Sequence, residues 1–237
     1  MITTILFDLD GTLLPMDQEV FTKSYFKRLV KKVAPLGYEP DKLIDTIWKG
    51  TKAMVENDGR RTNEEVFWEC FLKHFGEKAR KDIPVFEEYY RMEFQEVEKD
   101  CGKNPLAKRA VEWMKEKGLK VGLATNPIFP AIATESRIRW AGLEPEDFLI
   151  YTTYETSVHS KPSIEYYGDI LKQLSCRAEE CLMVGNDVEE DMIAKSLGME
   201  VFLLTDCVIN RRDRNIDDYP HGDFNDLMEY VNCLLSK

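Results

Sequence analysis

Residues 4–12 read Thr-Ile-Leu-Phe-Asp-Leu-Asp-Gly-Thr, and the fold of the chain follows from this stretch. The short apolar run that ends in an acidic residue predicts a buried β-strand. Asp8 stands at the end of that strand, and Asp10 follows two residues later. Side chains two residues apart in an extended chain point the same way, separated by roughly 6–7 Å. We therefore expect both carboxylates to face one site.

The carboxylates of Asp8 and Asp10 require a positive partner. Like charges at this separation repel unless a cation or a proton lies between them. A hard divalent ion with oxygen ligands meets that requirement, and Mg²⁺ suits phosphate chemistry. Gly11 and Thr12 predict a tight turn after the strand, whose backbone N–H groups can hold phosphate oxygens.

The next part of the chain, from about residue 18 to residue 100, shows helical periodicity only. Phe21, Tyr25 and Leu29 recur at helical spacing in its first segment. Thr62, with Glu65 three residues later, predicts a capped helix start. These features predict an all-helical insertion after the first strand.

After Pro105 the sequence alternates between helices and strands. Helices are predicted for residues 105–117, 129–141, 163–174, 189–197 and 223–235, and strands for residues 119–125, 148–151, 181–185 and 200–204. Such alternation predicts an α/β fold with a doubly wound parallel sheet. We expect a catalytic core of residues 1–16 and 101–237, with residues 17–100 forming a helical cap over the carboxyl edge of the sheet.

Polar residues end or follow the other predicted strands: Thr125, Asn126, Lys161, Asn186, Asp187 and Asp191. Each one alone is typical of an ordinary cap, turn or solvated side chain. The carboxyl ends of parallel strands meet at one edge of a sheet, where α/β enzymes bind their ligands. We therefore expect this set to lie in one site with Asp8 and Asp10.

Together these motifs resemble those of the haloacid dehalogenase superfamily. Residues 8–12 match its motif I, DxDGT, and Thr125 matches the Ser/Thr of motif II. Lys161 before Pro162 resembles motif III, and residues 185–191, Gly-Asn-Asp-Val-Glu-Glu-Asp, resemble the acidic motif IV. The four occur in family order and frame nearly the whole chain. The resemblance implies a Rossmann-like core, with the helical insertion as a C1-type cap.

Motif IV departs from the family pattern at one position. The family usually has Gly-Asp at its start, whereas Asn186 follows Gly185 here. In one alignment Asn186 replaces the first acid; in a shifted alignment Asp187 and Asp191 are the two acids. We favour Asp187 as the principal additional metal ligand, and Asn186 remains an alternative.

The resemblance implies a Mg²⁺-dependent phosphatase that acts on a small phosphorylated metabolite. Asp8 would attack phosphorus to form an aspartyl-phosphate, and Asp10 would protonate the leaving oxygen and then activate water. Thr125 and Lys161 would bind the phosphoryl oxygens. The implied site comprises Asp8, Asp10, Thr125 and Lys161 for catalysis, Gly11, Thr12 and Asn126 for substrate binding, Asp8, Asp10, Asp187 and Asn186 for the metal, and Asp191 behind the metal ligands.

Alternative functions remain open. A phosphomutase or phosphonatase would use the same motifs, and a non-catalytic binding protein can share the fold. A phosphonatase of the known kind would need a cap lysine, but Lys23, Lys27 and Lys49 fit a solvated helix face better. Asp10 favours phosphoryl transfer over halide displacement, because a halide leaves without an oxygen to protonate.

Further candidates lie outside the four motifs. Arg60 and Arg61 could hold an anionic group remote from the phosphate, although loop arginines are more often solvated. His159 is expected to order its loop near Lys161. The cap aromatics are predicted to form the cap core and not a substrate-stacking face: Trp48, Phe67, Trp68, Phe71 and Tyr89.

The composition argues against several functions. The chain has 43 acidic and 32 basic residues, a net charge of -11, and no basic footprint for nucleic acid. Its apolar runs are far shorter than the ~20 residues that span a membrane, and its N-terminus lacks the basic region of a signal peptide. Its six cysteines show no CxxC pair, so we expect reduced thiols. We predict a cytoplasmic protein whose partner is a small phosphate ester. No protein partner can be inferred.

Overall fold

The computed structural model describes residues 1–236 and is built around a five-stranded parallel sheet. The strands are β1 (Thr4–Phe7), β2 (Lys120–Leu123), β3 (Cys181–Gly185), β4 (Glu200–Leu204) and β5 (His221–Gly222). Their order is β2-β1-β3-β4-β5, with every pairing parallel. The carboxyl end of β1 therefore lies between the ends of β2 and β3, so that Asp8 has a strand end on either side.

The segment that follows β1 is helical, as predicted. Its α-helices are α1 (Gln18–Val33), α2 (Pro40–Val55), α3 (Asn63–Phe75) and α4 (Ile83–Arg91), and its 3₁₀ helices are Ala34–Leu36, Glu77–Asp82 and Glu93–Asp100. The predicted capping box is present, because Thr62 and Glu65 each accept the other's backbone N–H. This reciprocal bond satisfies donors that the first turn of a helix leaves unpaired.

The rest of the chain supplies the helices that cover the sheet. These are α5 (Pro105–Glu116), α6 (Ala131–Trp140), α7 (Ile164–Leu174) and α8 (Phe224–Leu235), with 3₁₀ helices at Pro145–Asp147, Ala178–Glu180, Met192–Leu197 and Ile216–Asp218. Ile5 and Phe7 pack on one face of the sheet with α5 and α8, whereas Leu6 packs on the other with α7. Because both faces are covered, the predicted doubly wound α/β fold with a helical cap is confirmed.

No helix within residues 1–236 combines the length and the apolar character that crossing a membrane requires.

The two ends of the helical cap segment meet where the segment leaves the core and rejoins it. Met16 and Cys101 form an isolated antiparallel bridge, and the N–H of Gly102 donates to the carbonyl of Pro15 at 2.7 Å. This bridge coincides with the predicted boundaries between core and cap. The division into residues 1–16 and 101–237 against residues 17–100 stays a prediction.

Two predicted elements differ from the structure. Residues 148–151 form only a single bridge, Tyr151 to Leu123, beyond the edge strand β2. An edge segment has one neighbour, so fewer backbone bonds hold it extended. The helix predicted for residues 189–197 is a 3₁₀ helix from Met192 to Leu197, because the Asp187 carboxylate accepts the N–H groups of Glu189 and Glu190 in a turn.

The amino end of α3 is hydrogen-bonded to the core. Asn63 is fully buried, and its Nδ2 donates to the carbonyl of Pro127 at 3.1 Å and to Ser160 Oγ at 3.0 Å. Its backbone N–H donates to the carbonyl of Ser157 at 2.8 Å. The loop after β2 and the loop before α7 are thereby tied to the cap, which places the cap over the carboxyl edge of the sheet.

Candidate active site

The nucleophile candidate Asp8 lies where the sequence predicted. Asp8 is 7% exposed, and its backbone N–H donates to the carbonyl of Val184 on β3 at 2.9 Å. Lys161 Nζ donates to Asp8 Oδ1 at 2.8 Å, and Thr12 Oγ1 lies 3.0 Å from Asp8 Oδ2. Motifs I and III therefore meet at one carboxylate, which is held at both oxygens.

Lys161 carries a fixed positive charge at this site. It is 1% exposed, and its Nζ lies 2.8 Å from Asp8 Oδ1 and 2.6 Å from Asp191 Oδ1. Burial by itself lowers the pKa of Lys161, but the carboxylates of Asp191 and Asp8 outweigh burial and leave that pKa well above its ordinary value. The ammonium therefore stays protonated. Asp191, predicted to stand behind the metal ligands, pairs directly with Lys161.

One ammonium is thus shared between two buried carboxylates. Burial raises the pKa of Asp191, and the Asp8 charge raises it further against the opposing effect of Lys161. Asp191 Oδ2 also accepts the N–H of Asp187 at 2.9 Å, which ties motif IV to Lys161. The position of Lys161 is therefore set by two carboxylates, Asp8 after β1 and Asp191 after β3.

Asp10 is paired with a residue that the sequence analysis missed. Arg137 of α6 is fully buried, and its guanidinium forms an ion pair with Asp10 Oδ2. The guanidinium also lies over the ring of Phe129, 4.5 Å from its centroid. No sequence signal separates Arg137 from the exposed Arg139 two residues later, since both are basic residues of one helix.

The environment of Asp10 suits a proton donor. Burial raises the pKa of its carboxyl group, the Arg137 charge opposes that rise, and the nearby Asp8 adds to it, for a net upward shift. Asp10 Oδ1 is buried and has no hydrogen-bond partner within residues 1–236. Such an atom can hold a proton for transfer to a ligand, because nothing in the protein competes for it.

Asn186 and Asp187 of motif IV make different contacts. Asn186 Oδ1 lies 3.0 Å from Thr12 Oγ1, the hydroxyl that also contacts Asp8, and Asn186 Nδ2 donates to the carbonyl of Cys207 at 2.7 Å. Asp187, the favoured ligand, accepts two backbone N–H groups at Oδ1 and pairs with Arg211 at Oδ2. The structure therefore places the amide oxygen of Asn186, and not a free carboxylate of Asp187, beside Thr12 and Asp8.

The structure offers a mixed set of oxygen donors for a metal. Within the described residues, no group of three or more His, Cys, Asp or Glu side chains is arranged to hold a metal ion. Asp8 Oδ2 and Asn186 Oδ1 nevertheless converge on the Thr12 hydroxyl, each at 3.0 Å. Carboxylate and amide oxygens are the donors that hard divalent cations prefer, so this pair fits Mg²⁺.

The turn after β1 is formed, but its N–H groups are used within the turn. Gly11 has a φ of 87°, and a Cβ there would lie 2.3 Å from Asn186 Nδ2, so only glycine fits. Its N–H donates to the carbonyl of Leu14 at 2.8 Å, and that of Thr12 donates to the carbonyl of Leu9 at 3.2 Å. The expected free N–H groups at Gly11 and Thr12 are therefore already engaged.

Motif II is fixed through its backbone. Thr125 is 2% exposed, and its carbonyl accepts from Thr152 Oγ1 at 2.6 Å and from the Tyr166 hydroxyl at 2.8 Å. Asn126 Nδ2 donates to Glu190 Oε2 at 3.1 Å, while its Oδ1 is buried without a hydrogen-bond partner within residues 1–236. Both residues line the same cavity as Asp8.

A cavity of about 360 Å³ joins the catalytic edge of the sheet to the cap. At the sheet, the cavity is lined by residues that include Asp8, Asp10, Thr125, Asn126 and Asn186. Of the cap aromatics assigned to the cap core, three line this cavity, namely Trp48, Phe67 and Trp68, while Phe71 and Tyr89 are buried elsewhere in the core.

The remaining candidates lie outside the cavity. Arg60 pairs with Asp58 and Arg61 with Glu69, all four on the surface. His159 Nδ1 lies 2.7 Å from Asp169 Oδ2, which agrees with a role in ordering its loop. The three candidate cap lysines are exposed: Lys23 pairs with Glu19, Lys49 pairs with Asp45, and Lys27 lies on the surface.

The chain is similar to known hydrolases. The family model for haloacid dehalogenase-like hydrolases matches residues 2–198. Ribulose-1,5-bisphosphate 5-phosphatase from Halopiger xanaduensis is 26% identical over 210 residues, which cover 86% of this chain and 84% of that protein.

Two solved structures share the fold. A 2-haloacid dehalogenase from Pseudomonas syringae pv. Tomato has a TM-score of 0.65 and 18% identity, and the match covers 99% of this chain and 100% of that chain. A HAD-hydrolase from Bacillus subtilis bound to magnesium has a TM-score of 0.57 and 19% identity, and the match covers 98% and 99%. The match of the family model over most of the chain confirms the prediction made from the four motifs: the chain belongs to the haloacid dehalogenase-like hydrolase family and is an enzyme.

Proposed function

We propose that this chain is a Mg²⁺-dependent phosphomonoesterase that acts on a small phosphate ester through an aspartyl-phosphate at Asp8. The observation that carries the proposal is the Asp8 carboxylate held between Lys161 and Thr12, with the buried carboxyl group of Asp10, whose pKa is raised, two residues away. The similarity to ribulose-1,5-bisphosphate 5-phosphatase supports a phosphate ester as the substrate.

The first half of the reaction uses the two carboxyl groups in different roles. An Asp8 oxygen attacks phosphorus, the bond from phosphorus to the ester oxygen breaks, and the departing alkoxide takes the proton of Asp10. The raised pKa of Asp10 keeps this proton available at higher pH than an ordinary aspartic acid would. The Lys161 ammonium neutralises charge that the phosphoryl oxygens bring next to Asp8.

The second half regenerates the enzyme. Asp10, now ionised, accepts a proton from a water molecule that attacks the aspartyl-phosphate, and inorganic phosphate leaves from Asp8. Arg137 holds Asp10 in place through both steps, because its guanidinium is fixed by burial and by Phe129. Arg137 is therefore a positioning residue.

Asp8 and the amide oxygen of Asn186 would hold Mg²⁺. Asp187, the ligand favoured from the sequence, is paired with Arg211 in this structure. When bound, the ion supplies positive charge that offsets repulsion between the Asp8 carboxylate and the phosphate dianion. The magnesium-bound Bacillus subtilis hydrolase, which shares the fold, supports this choice of metal.

Removal of divalent cations is expected to lower phosphate release by at least about 10²-fold, because Asp8 and the phosphate then repel without compensation. Release of inorganic phosphate from a panel of small esters, measured with Mg²⁺ and with EDTA, tests this. Restoration by added Mg²⁺ after chelation is the control. Equal release under both conditions would contradict the proposed metal dependence.

Arg137→Met is expected to lower kcat by about tenfold and to move the alkaline limb of the kcat–pH profile to higher pH. The sign follows from the present effect of the guanidinium, which lowers the pKa of Asp10. Without it, that pKa rises, and the protonated acid persists to higher pH. Arg139→Met on the exposed side of α6 is the matched control. An unshifted profile in Arg137→Met would rule out the positioning role.

Three alternative reactions can be distinguished from phosphate ester hydrolysis. A phosphonatase of the known kind needs a cap lysine at the substrate, and no lysine within residues 1–236 lines the cavity. Halide displacement is disfavoured by Asp10, which has no leaving oxygen to protonate in that reaction. A mutase would retain the phosphoryl group, so free inorganic phosphate from a simple ester distinguishes it.

A further inference from the structure

The cap half of the cavity has a different chemical character from the catalytic half. Aromatic rings form much of its wall, among them Phe21, Phe26, Trp48, Phe67, Trp68 and Phe86. Leu29, Ile47 and Val55 add aliphatic surface. None of the cap residues in the described part of the chain that line this cavity is charged. A substrate that occupies the cap half is therefore surrounded by apolar side chains.

The polar groups on this wall are few. Tyr25 and Tyr90 are the hydroxyl-bearing rings from the cap, and their hydroxyl oxygens lie 2.9 Å apart, so each is the other's hydrogen-bond partner. Gln18, Thr22 and Thr51 add polar side chains to the cap wall. The other donors there are the indole N–H groups of Trp48 and Trp68, and that of Trp68 is buried without a hydrogen-bond partner within residues 1–236. A sugar or polyol carries a hydroxyl on nearly every carbon, and each one buried without a partner opposes binding.

A second anionic group on the substrate would also lack a partner. Arg211 is the one cationic side chain among residues 1–236 that lines the cavity. It belongs to the catalytic half, where it pairs with Asp187, and its side chain is 57% exposed. Arg60 and Arg61, the other candidates for an anion, are on the surface. The cap half therefore offers no counter-charge to a carboxylate or a second phosphate.

We propose that the substrates of this enzyme are monophosphate esters of small apolar alcohols, with an aromatic or aliphatic leaving group that lies in the cap half of the cavity. This inference rests on the proposed phosphomonoesterase function and adds the substrate class to it. The phosphate lies at Asp8, whose carboxylate is paired with the buried Lys161, and the apolar group extends toward Trp48 and Trp68. The cavity volume of about 360 Å³ is at the lower end for ligand pockets, which favours a small leaving group.

The test compares benzyl phosphate and hexyl phosphate with glycerol 1-phosphate and glucose 6-phosphate, in the presence of Mg²⁺. All four leaving groups are primary alcohols, so the aromatic ester gains no advantage from an acidic leaving group. We expect kcat/KM for the two apolar esters to exceed that for the two polyol esters by at least about tenfold, because burial of apolar surface is favourable and burial of unpaired hydroxyls is not.

A variant of the apolar wall sharpens the test. Trp48 is 51% exposed and lines the cavity, so Trp48→Ala removes part of the wall without opening the protein core. We expect it to lower the ratio of kcat/KM for benzyl phosphate to that for glycerol 1-phosphate by about tenfold or more. Trp113→Ala, on α5 and outside the cavity, is the matched control and should leave the ratio unchanged.

The possible failures are distinguishable. Faster turnover of the polyol esters by the wild-type enzyme, or an unchanged ratio in Trp48→Ala, would overturn the apolar substrate class and leave the phosphatase function intact. Release of phosphate from none of the four esters, by a folded protein with Mg²⁺ present, would overturn the proposed function and the substrate class together. Preference for the apolar esters that Trp48→Ala reduces would establish the inference.

Discussion

Asp8→Asn is expected to reduce phosphate release by at least about 10³-fold, the largest effect of any single substitution at this site. An amide cannot form the aspartyl-phosphate, because its nitrogen and oxygen lack the nucleophilic charge of the carboxylate. The substitution is close to isosteric, and Lys161 keeps its ion pair with Asp191 at 2.6 Å, so we expect the fold to persist. The measurement is inorganic phosphate release from the ester panel with Mg²⁺ present.

Two controls accompany Asp8→Asn. Asp45→Asn changes an exposed aspartate of α2 in the same way and should leave activity unchanged. The thermal unfolding midpoint of Asp8→Asn should stay close to that of the wild type, which separates loss of the nucleophile from loss of the fold. Equal, slow release by the wild type and by Asp8→Asn would instead support the non-catalytic alternative.

Lys161→Met should lose both activity and stability. The variant leaves Asp8 and Asp191 buried without their shared counter-charge, and breaking a buried ion pair in this way typically costs about 3–5 kcal/mol in the free energy of unfolding. Activity should fall by at least about 10²-fold, because the phosphoryl oxygens lose a fixed positive charge. Urea unfolding and phosphate release measure the two effects separately. Lys172→Met, with a side chain 82% exposed, is the matched control.

The double variant Lys161→Met with Asp191→Asn distinguishes the two consequences. Removal of the second carboxylate relieves the uncompensated buried charge, so part of the lost stability should return. Activity should not return, because the positive charge beside Asp8 is still missing. A double variant no more stable than Lys161→Met would show that the ion pair with Asp191 is not what stabilises this region. Full activity in either variant would exclude a catalytic role for Lys161.

Much of the fold was predictable from the sequence, because it rests on local patterns. The apolar run before Asp8 and the alternation after Pro105 predicted the parallel sheet, and helical periodicity predicted the cap. Thr62 and Glu65 predicted their helix start because a capping box involves only neighbouring residues. The convergence of Asp8, Thr12 and Lys161 was predictable as well, because parallel strands bring their carboxyl ends to one edge.

Details of the site depended on contacts that no local pattern encodes. Arg137 is separated from Asp10 by 127 positions in the chain, and its role depends on which side of α6 faces the sheet. Arg211 likewise lies far from Asp8 in the chain. It pairs with the Asp187 carboxylate, while the amide oxygen of Asn186 contacts the Thr12 hydroxyl. Motif IV alone could not divide these roles, because consecutive residues in a turn can point in several directions.

The cavity shows the same division between local and tertiary information. Helical periodicity identifies Trp48, Phe67 and Trp68 as residues of an apolar helix face. It does not determine whether that face packs against other side chains or lines a cavity. The sequence by itself therefore determined the class of fold, the family and the residues around Asp8. Only the tertiary structure decided the partner of Asp10, the division of motif IV and the apolar wall above the site, because each depends on how segments distant in the chain pack together.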